Sequence, residues 1–185
     1  MYIFARLKIL EMKSDSKYKI EFAGLKIGSH QFNFTADKKF FDRFNFSDFN
    51  DVSVNIDIDL TKKSTLLELD FVLTGDVNLN CDLTNEPFDY QINHKASLVV
   101  KFGQDYNDED DEILVLPHGE HKLYVDQYIF ELIVLSLPPK RIHPGVEDGT
   151  LKSEILDILE DLKPKENSSF ADPRWEQLKS LKKIK

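Results

Sequence analysis

The stretch DQYIFELIVLSLPPKRIHPG, residues 126–145, sets the architecture that the rest of the chain must satisfy. Its first half is a helical pattern. Asp126 is placed to cap the N-terminus, and Val125 before it can staple onto Phe130 in the first turn. Tyr128, Ile129, Phe130, Leu132, Ile133, Val134, Leu135 and Leu137 then cover nearly the whole circumference. A helix that is apolar all round is normally enclosed by its domain, so the expectation is a central buried helix. The run is too short and too often interrupted to span a bilayer. Pro138 and Pro139 stop it, because proline pushes the preceding residue out of the α region and neither ring nitrogen donates. Glu131 inside this cylinder needs a partner to offset burial, and Lys140 and Arg141 beyond the stop are the candidates.

The material to cover such a helix lies upstream. Val52, Val54, Ile56, Ile58 and Leu60 alternate with Asp51, Ser53, Asn55, Asp57 and Asp59, a strict period of two. Asp57 and Asp59 fall on the wet face, where they serve solubility and edge protection rather than acid–base chemistry. After Thr61–Thr65 the apolar phase moves to Leu67, Leu69, Phe71, Leu73, Val77, Leu79, Cys81 and Leu83. A hairpin with an even-length loop produces that change of parity. The phase does not change across Gly75, so Gly75 reads as a kink or close-approach site inside one long, bent strand. At Thr84–Pro87 the phase switches again, to Phe88, Tyr90, Ile92, His94, Ala96, Leu98, Val100 and Phe102. A four-residue turn there pairs Leu83 with Phe88, Cys81 with Tyr90 and Val77 with His94. The centre is then a three-strand antiparallel meander with one apolar face.

The flanks are shorter elements. Residues 2–9, 17–23 and 30–34 read as strands, and residues 37–44 as a short helix with Phe40, Phe41 and Phe44 on one core face. Residues 103–112 read as a loop carrying Asp105, Asp108, Glu109, Asp110, Asp111 and Glu112, a block of like charge of the kind that is usually mobile. Its spacing lacks the alternation and glycine of a calcium loop. Short strands fit residues 113–116 and 122–125. Thr150 can cap a helix striped by Leu151, Ile155, Ile158, Leu159 and Leu162, which Pro164 ends. Asp172-Pro173 starts another helix, with Trp175, Leu178 and Leu181 in a narrow stripe and Lys179, Lys182, Lys183 and Lys185 near its end.

At 185 residues the chain suits one domain able to bury a core without staples. The expected class is α+β: a curved antiparallel sheet, with a partly closed barrel as one outcome of its bending, a central buried helix and two C-terminal helices. Residues 1–164 form the domain; residues 165–185 are a linker plus a basic amphipathic helix docking on it. No signal-peptide pattern opens the chain, which reads as a soluble cytoplasmic protein.

The net charge of −9 opposes general nucleic-acid binding, because lysine and arginine supply most of the affinity for phosphate. A basic protein partner suits it better. Cys81, the single cysteine, shares the phase of the buried face, where a free thiol behaves as a small hydrophobe. His94 has the same phase. His30, His118, His121 and His143 are scattered, with no recognised zinc spacing, and no Walker, GxSxG or HExxH motif is present. The residue chemistry indicates no enzyme, no metal and no cofactor.

Several segments in order resemble the YceD family, the large ribosomal RNA subunit accumulation proteins, in a Bacteroidetes-like form. They are G-S-H-Q-F-N-F at Gly28–Phe34, G-D-V-N-L-N-C-D at Gly75–Asp82, F-G-Q and the acidic run after it, E-L-I-V-L-S-L-P at Glu131–Pro138, His143-Pro144, and D-P-R-W-E-Q-L-K-S-L at Asp172–Leu181. The resemblance implies a non-enzymatic role in accumulation or maturation of large-subunit ribosomal RNA. Many members carry a C-x-x-C pair where this chain has Cys81-Asp82-Leu83-Thr84, so the second cysteine is replaced by Thr84.

Two partner modes follow. A basic ribosomal protein or RNA–protein intermediate would be held by Asp108, Glu109, Asp110, Asp111 and Glu112. Alternatively RNA would be bound directly by Arg174, Trp175, Lys179, Lys182 and Lys183.

Overall fold

A computed structural model gives the fold and describes residues 17–110 and 112–162. The expected strand at residues 2–9, the linker and the last helix lie outside the described residues. Among the described residues eight strands and four helices follow in chain order: β1 (Lys19–Glu21), β2 (Gly28–Asp37), α1 (Lys38–Asp42), β3 (Asp51–Lys62), β4 (Leu66–Asn80), β5 (Pro87–Gly103), β6 (Asn107–Asp110), β7 (Ile113–Pro117), β8 (Lys122–Tyr124), α2 (Asp126–Leu135), α3 (Pro144–Glu147) and α4 (Glu154–Asp161). The fold is mixed and dominated by strands.

Six strands pair in the order β2-β3-β4-β5-β7-β6. Among the described residues the ladder ends at β2 and β6, so it is an open sheet and not a closed barrel. The pairs are antiparallel except β5–β7, which is parallel. After β5 the chain passes to the outer edge, runs back as β6 and returns as β7 between the two. The alternation read from sequence decides the faces: Val52, Val54, Ile56, Ile58 and Leu60 are buried, as are Leu67, Leu69, Phe71 and Leu73 on the neighbouring strand.

Gly75 sits inside β4, opposite Val54 on one side and Ile92 on the other. A Cβ there would lie 2.1 Å from the carbonyl oxygen of Ser53 and 2.7 Å from the Cα of Val54. It is the close-approach site expected. The β4–β5 register differs from expectation by four residues. Leu79 pairs with Phe88, Val77 with Tyr90 and Leu73 with His94. Cys81 therefore leaves the ladder for a six-residue loop, in which its N–H donates to the Glu86 carbonyl at 2.9 Å. A slip of four preserves parity, so the hydrophobic phase could not detect it.

Among the described residues three pieces cover the apolar face. The β1–β8 ribbon inserts Ile20 and Leu123, and the Tyr18 hydroxyl donates to the Thr35 carbonyl at 2.7 Å. Helix α1, capped by the Asp37 carboxylate on the Phe40 N–H at 3.0 Å, delivers Phe40 and Phe41. Helix α2 is the third piece, and it is not enclosed as expected. Ile129 and Ile133 are buried one turn apart, while Leu135 is 77% exposed. The helix lies on the domain with one face inward, so its remaining apolar side chains sit at the margin. Val125 occupies the cap position and Asp126 the first helical turn, where it pairs with Arg43 at 3.6 Å. Glu131 is exposed and accepts from Gln127 Nε2 at 2.9 Å, so neither Lys140 nor Arg141 is required. Arg141 instead pairs with Asp48 at 3.6 Å. Thr150 does not cap α4; its hydroxyl donates to Asp148 at 2.6 Å, and Ser153 stands at the cap position.

Candidate partner-binding surface

Within the acidic run, Asn107–Asp110 is a strand edge rather than a loop. Asn107–Asp110 forms β6, paired to β7 on one side and terminal on the other. Two short polar side chains shape it: Asn107 Oδ1 accepts the Glu109 N–H at 2.8 Å, and Asp110 Oδ1 accepts the Glu112 N–H at 3.0 Å. Asp108, Glu109, Asp110 and Glu112 are all exposed, and Asp111 lies outside the described residues. Charged edges also guard a sheet against pairing with other chains, so the carboxylates alone do not define a binding surface.

Two tyrosines beside the edge add to it. The Tyr106 hydroxyl donates to Asp108 Oδ2 at 3.0 Å. Burial, then the neighbouring Tyr128 and Asp108, hold the Tyr106 phenol far above its ordinary range. Tyr128 on α2 is pushed up to about 12 by burial, with Asp108 and Glu131 adding to it. Carboxylates of β6 and α2 thus share one electrostatic neighbourhood with two phenols that stay neutral. Tyrosine joins a broad apolar ring to a polar tip and is enriched at recognition surfaces. The sequence reading assigned Tyr128 to the helix interior and passed over Tyr106. Its position between Gly103 and the acidic run was the available signal.

A second acidic surface is the outer face of the sheet, where Asp57, Asp59, Asp70, Asp76 and Asp89 are exposed on β3, β4 and β5. Here neutral donors engage the carboxylates across strands. Gln31 donates to Asp59 at 2.9 Å, Ser97 to Asp70 at 2.7 Å, Asn78 to Asp89 at 2.6 Å, and Asn33 to Asp57. This wet face is the one expected for Asp57 and Asp59.

The loop after β4 and the segment before α3 form a tight corner. Asp82 N–H donates to the Arg141 carbonyl at 2.7 Å, and Arg141 N–H returns a bond to Asp82 Oδ2 at 2.8 Å. The His143 N–H donates to Cys81 Sγ at 3.3 Å, and His143 Nδ1 accepts from the Gly145 N–H at 2.9 Å. The His143 ring meets Phe88 edge-on, with centroids 5.6 Å apart. Cys81 is buried, as its phase implied, and burial pushes its thiol up. Hydrogen bonds from the Thr84 hydroxyl and from the N–H groups of His143, Thr84 and Leu83 more than offset that, so the thiol lies below its ordinary value. His94 is half-buried on the inner phase, opposite Leu73. Among the described residues no group of three or more His, Cys, Asp or Glu side chains is placed to hold a metal ion.

Of the residues expected to meet partners, the structure gathers Asp108, Glu109, Asp110 and Glu112 at one edge. Arg174, Trp175, Lys179, Lys182 and Lys183 lie outside the described residues. Among the described residues no helix is long and apolar enough to cross a membrane. A family model described as large ribosomal RNA subunit accumulation protein YceD matches residues 69–182, from β4 onward. No curated protein and no solved structure matches the chain.

Proposed function

The chain belongs to the YceD family, and from that membership we propose that it is a non-enzymatic, cytoplasmic factor supporting accumulation or maturation of large-subunit ribosomal RNA. It acts by holding a basic ribosomal protein, or an RNA–protein intermediate, on the β6 edge. The observation that carries this reading is the edge itself: Asp108, Glu109, Asp110 and Glu112 stand exposed, with Tyr106 and Tyr128 beside them. Exposed ion pairs each contribute only about 0–1 kcal/mol, so the acidic run chiefly steers and selects the partner. The tyrosine rings supply contact area. The engagement of Cys81 with the His143 N–H, of Asp82 with Arg141 and of the His143 ring with the Gly145 N–H supports a structural rather than catalytic use of that corner.

The test is capture of basic large-subunit proteins by the intact chain at low and high salt. Binding should fall steeply with salt. It should also weaken in a variant with Asp108, Asp110 and Asp111 changed to Asn and Glu109 and Glu112 changed to Gln. Undiminished capture by that variant removes the edge from the account.

A second reading, direct RNA binding, is favoured by one feature: residues 172–185 are locally basic in an acidic chain. Deleting them should abolish RNA binding at low salt. An intact chain that binds no RNA there rules this reading out.

A further inference from the structure

Helix α4 presents an apolar stripe that none of the described residues covers. Ile155, Ile158, Leu159 and Leu162 are 44%, 58%, 38% and 72% exposed. They share one face by their three- and four-residue spacing. Water contact over so many large side chains on one short helix is costly, at roughly 25 cal/mol per Å² of apolar surface. Scattered exposed leucines are ordinary, but an aligned stripe is a docking face.

We propose that the occupant is the chain's own segment Asp172–Lys185, returning antiparallel to α4 to form a helical hairpin. Charge is the first argument. Between Glu154 and Asp161, α4 carries Glu154, Asp157, Glu160 and Asp161 and no basic residue. The segment carries Arg174, Lys179, Lys182, Lys183 and Lys185 against Asp172 and Glu176.

Pattern is the second argument. Trp175, Leu178 and Leu181 repeat every three residues, a seam too narrow to build a core and wide enough for one facing helix. Reach is the third. Residues 162–172 extend to as much as about 36 Å, whereas packed helix axes lie only about 8–10 Å apart. Tethering also gives the segment an effective concentration in the millimolar range, so a free partner of similar chemistry competes poorly for the stripe.

Trp175 is the only tryptophan and reports on the contact directly. In the full-length protein, its emission should be blue-shifted and weakly quenched by acrylamide, independent of protein concentration. Ile158→Glu and Leu162→Glu should each shift the emission red and raise the quenching constant at least twofold. Ile27→Glu, at an exposed position remote in sequence, should change neither. Three results overturn the proposal: a solvent-exposed Trp175 in the unaltered chain, a shielded Trp175 indifferent to both α4 substitutions, or shielding that disappears on dilution, which assigns the stripe to a second copy.

Discussion

The backbone N–H of His143 donates to Sγ of Cys81 at 3.3 Å, joining residues 62 apart in sequence. The thiol accepts further bonds from the Thr84 hydroxyl and from N–H groups of its own turn. Thr84→Val keeps the shape and removes one donor. The Cys81 thiol should then titrate at higher pH, read from thiolate absorbance. The folded thiol lies below its unfolded value of 9.0, so its contribution to stability grows as pH rises toward that value and vanishes as pH falls through the folded one. That alkaline gain should shrink in the variant, with a loss of about 0.5–1.5 kcal/mol for the missing bond.

Gly75→Ala should be among the most damaging single changes. The added methyl meets backbone atoms of Ser53 and Val54, which cannot rotate away, and forces the β3–β4 pair apart. A cost of about 1–3 kcal/mol or more is expected in chemical denaturation. Gly24→Ala, with open space around its Cβ, should cost far less. Equal effects would remove the close-approach argument.

The Tyr106–Tyr128 neighbourhood predicts a late alkaline transition. Both phenols are raised, Tyr128 to about 12, from an ordinary value of 10.0. Raised folded values mean that their contribution to stability is intact below about pH 10 and lost as pH rises through the folded values. Near-ultraviolet titration should show Tyr106 and Tyr128 ionising late, alongside Tyr18, which burial also raises, and Asp108→Asn should bring Tyr106 and Tyr128 earlier while leaving Tyr18 in place. Uniform ionisation near the ordinary value would dissolve the cluster.

Phe130 stacks on Phe44 with centroids 4.4 Å apart and meets Phe46 edge-on at 5.5 Å, tying α2 to the segment after α1. Phe130→Ala should cost about 2–4 kcal/mol, below the full-burial range because the ring is only partly enclosed. Leu135→Ala, about half a helical turn from the buried Ile133 and largely exposed, should stay within about 0.5 kcal/mol of the parent.

The strand faces were legible because a period of two is a direct consequence of pleating, and Gly75 was legible because the phase ran through it unbroken. The β4–β5 register was not, since any even slip leaves the same residues inward. The helix at residues 126–135 misled because apolar side chains all round do not reveal how many neighbours surround it. The acidic run hid a strand for a related reason: β6 is held by backbone pairing to β7 and by two side-chain caps, neither of which hydrophobic pattern records. Of the candidate surface, the carboxylates were read from charge alone, whereas Tyr106 and Tyr128 emerged only when β6 was brought to the flank of α2.

The most direct measurement is large-subunit ribosomal RNA abundance in cells lacking this chain, complemented with either the parent or the Asp108, Glu109, Asp110, Asp111 and Glu112 amide variant at matched protein levels. The account predicts that the parent restores the RNA and the variant falls clearly short. Equal restoration by both would contradict it.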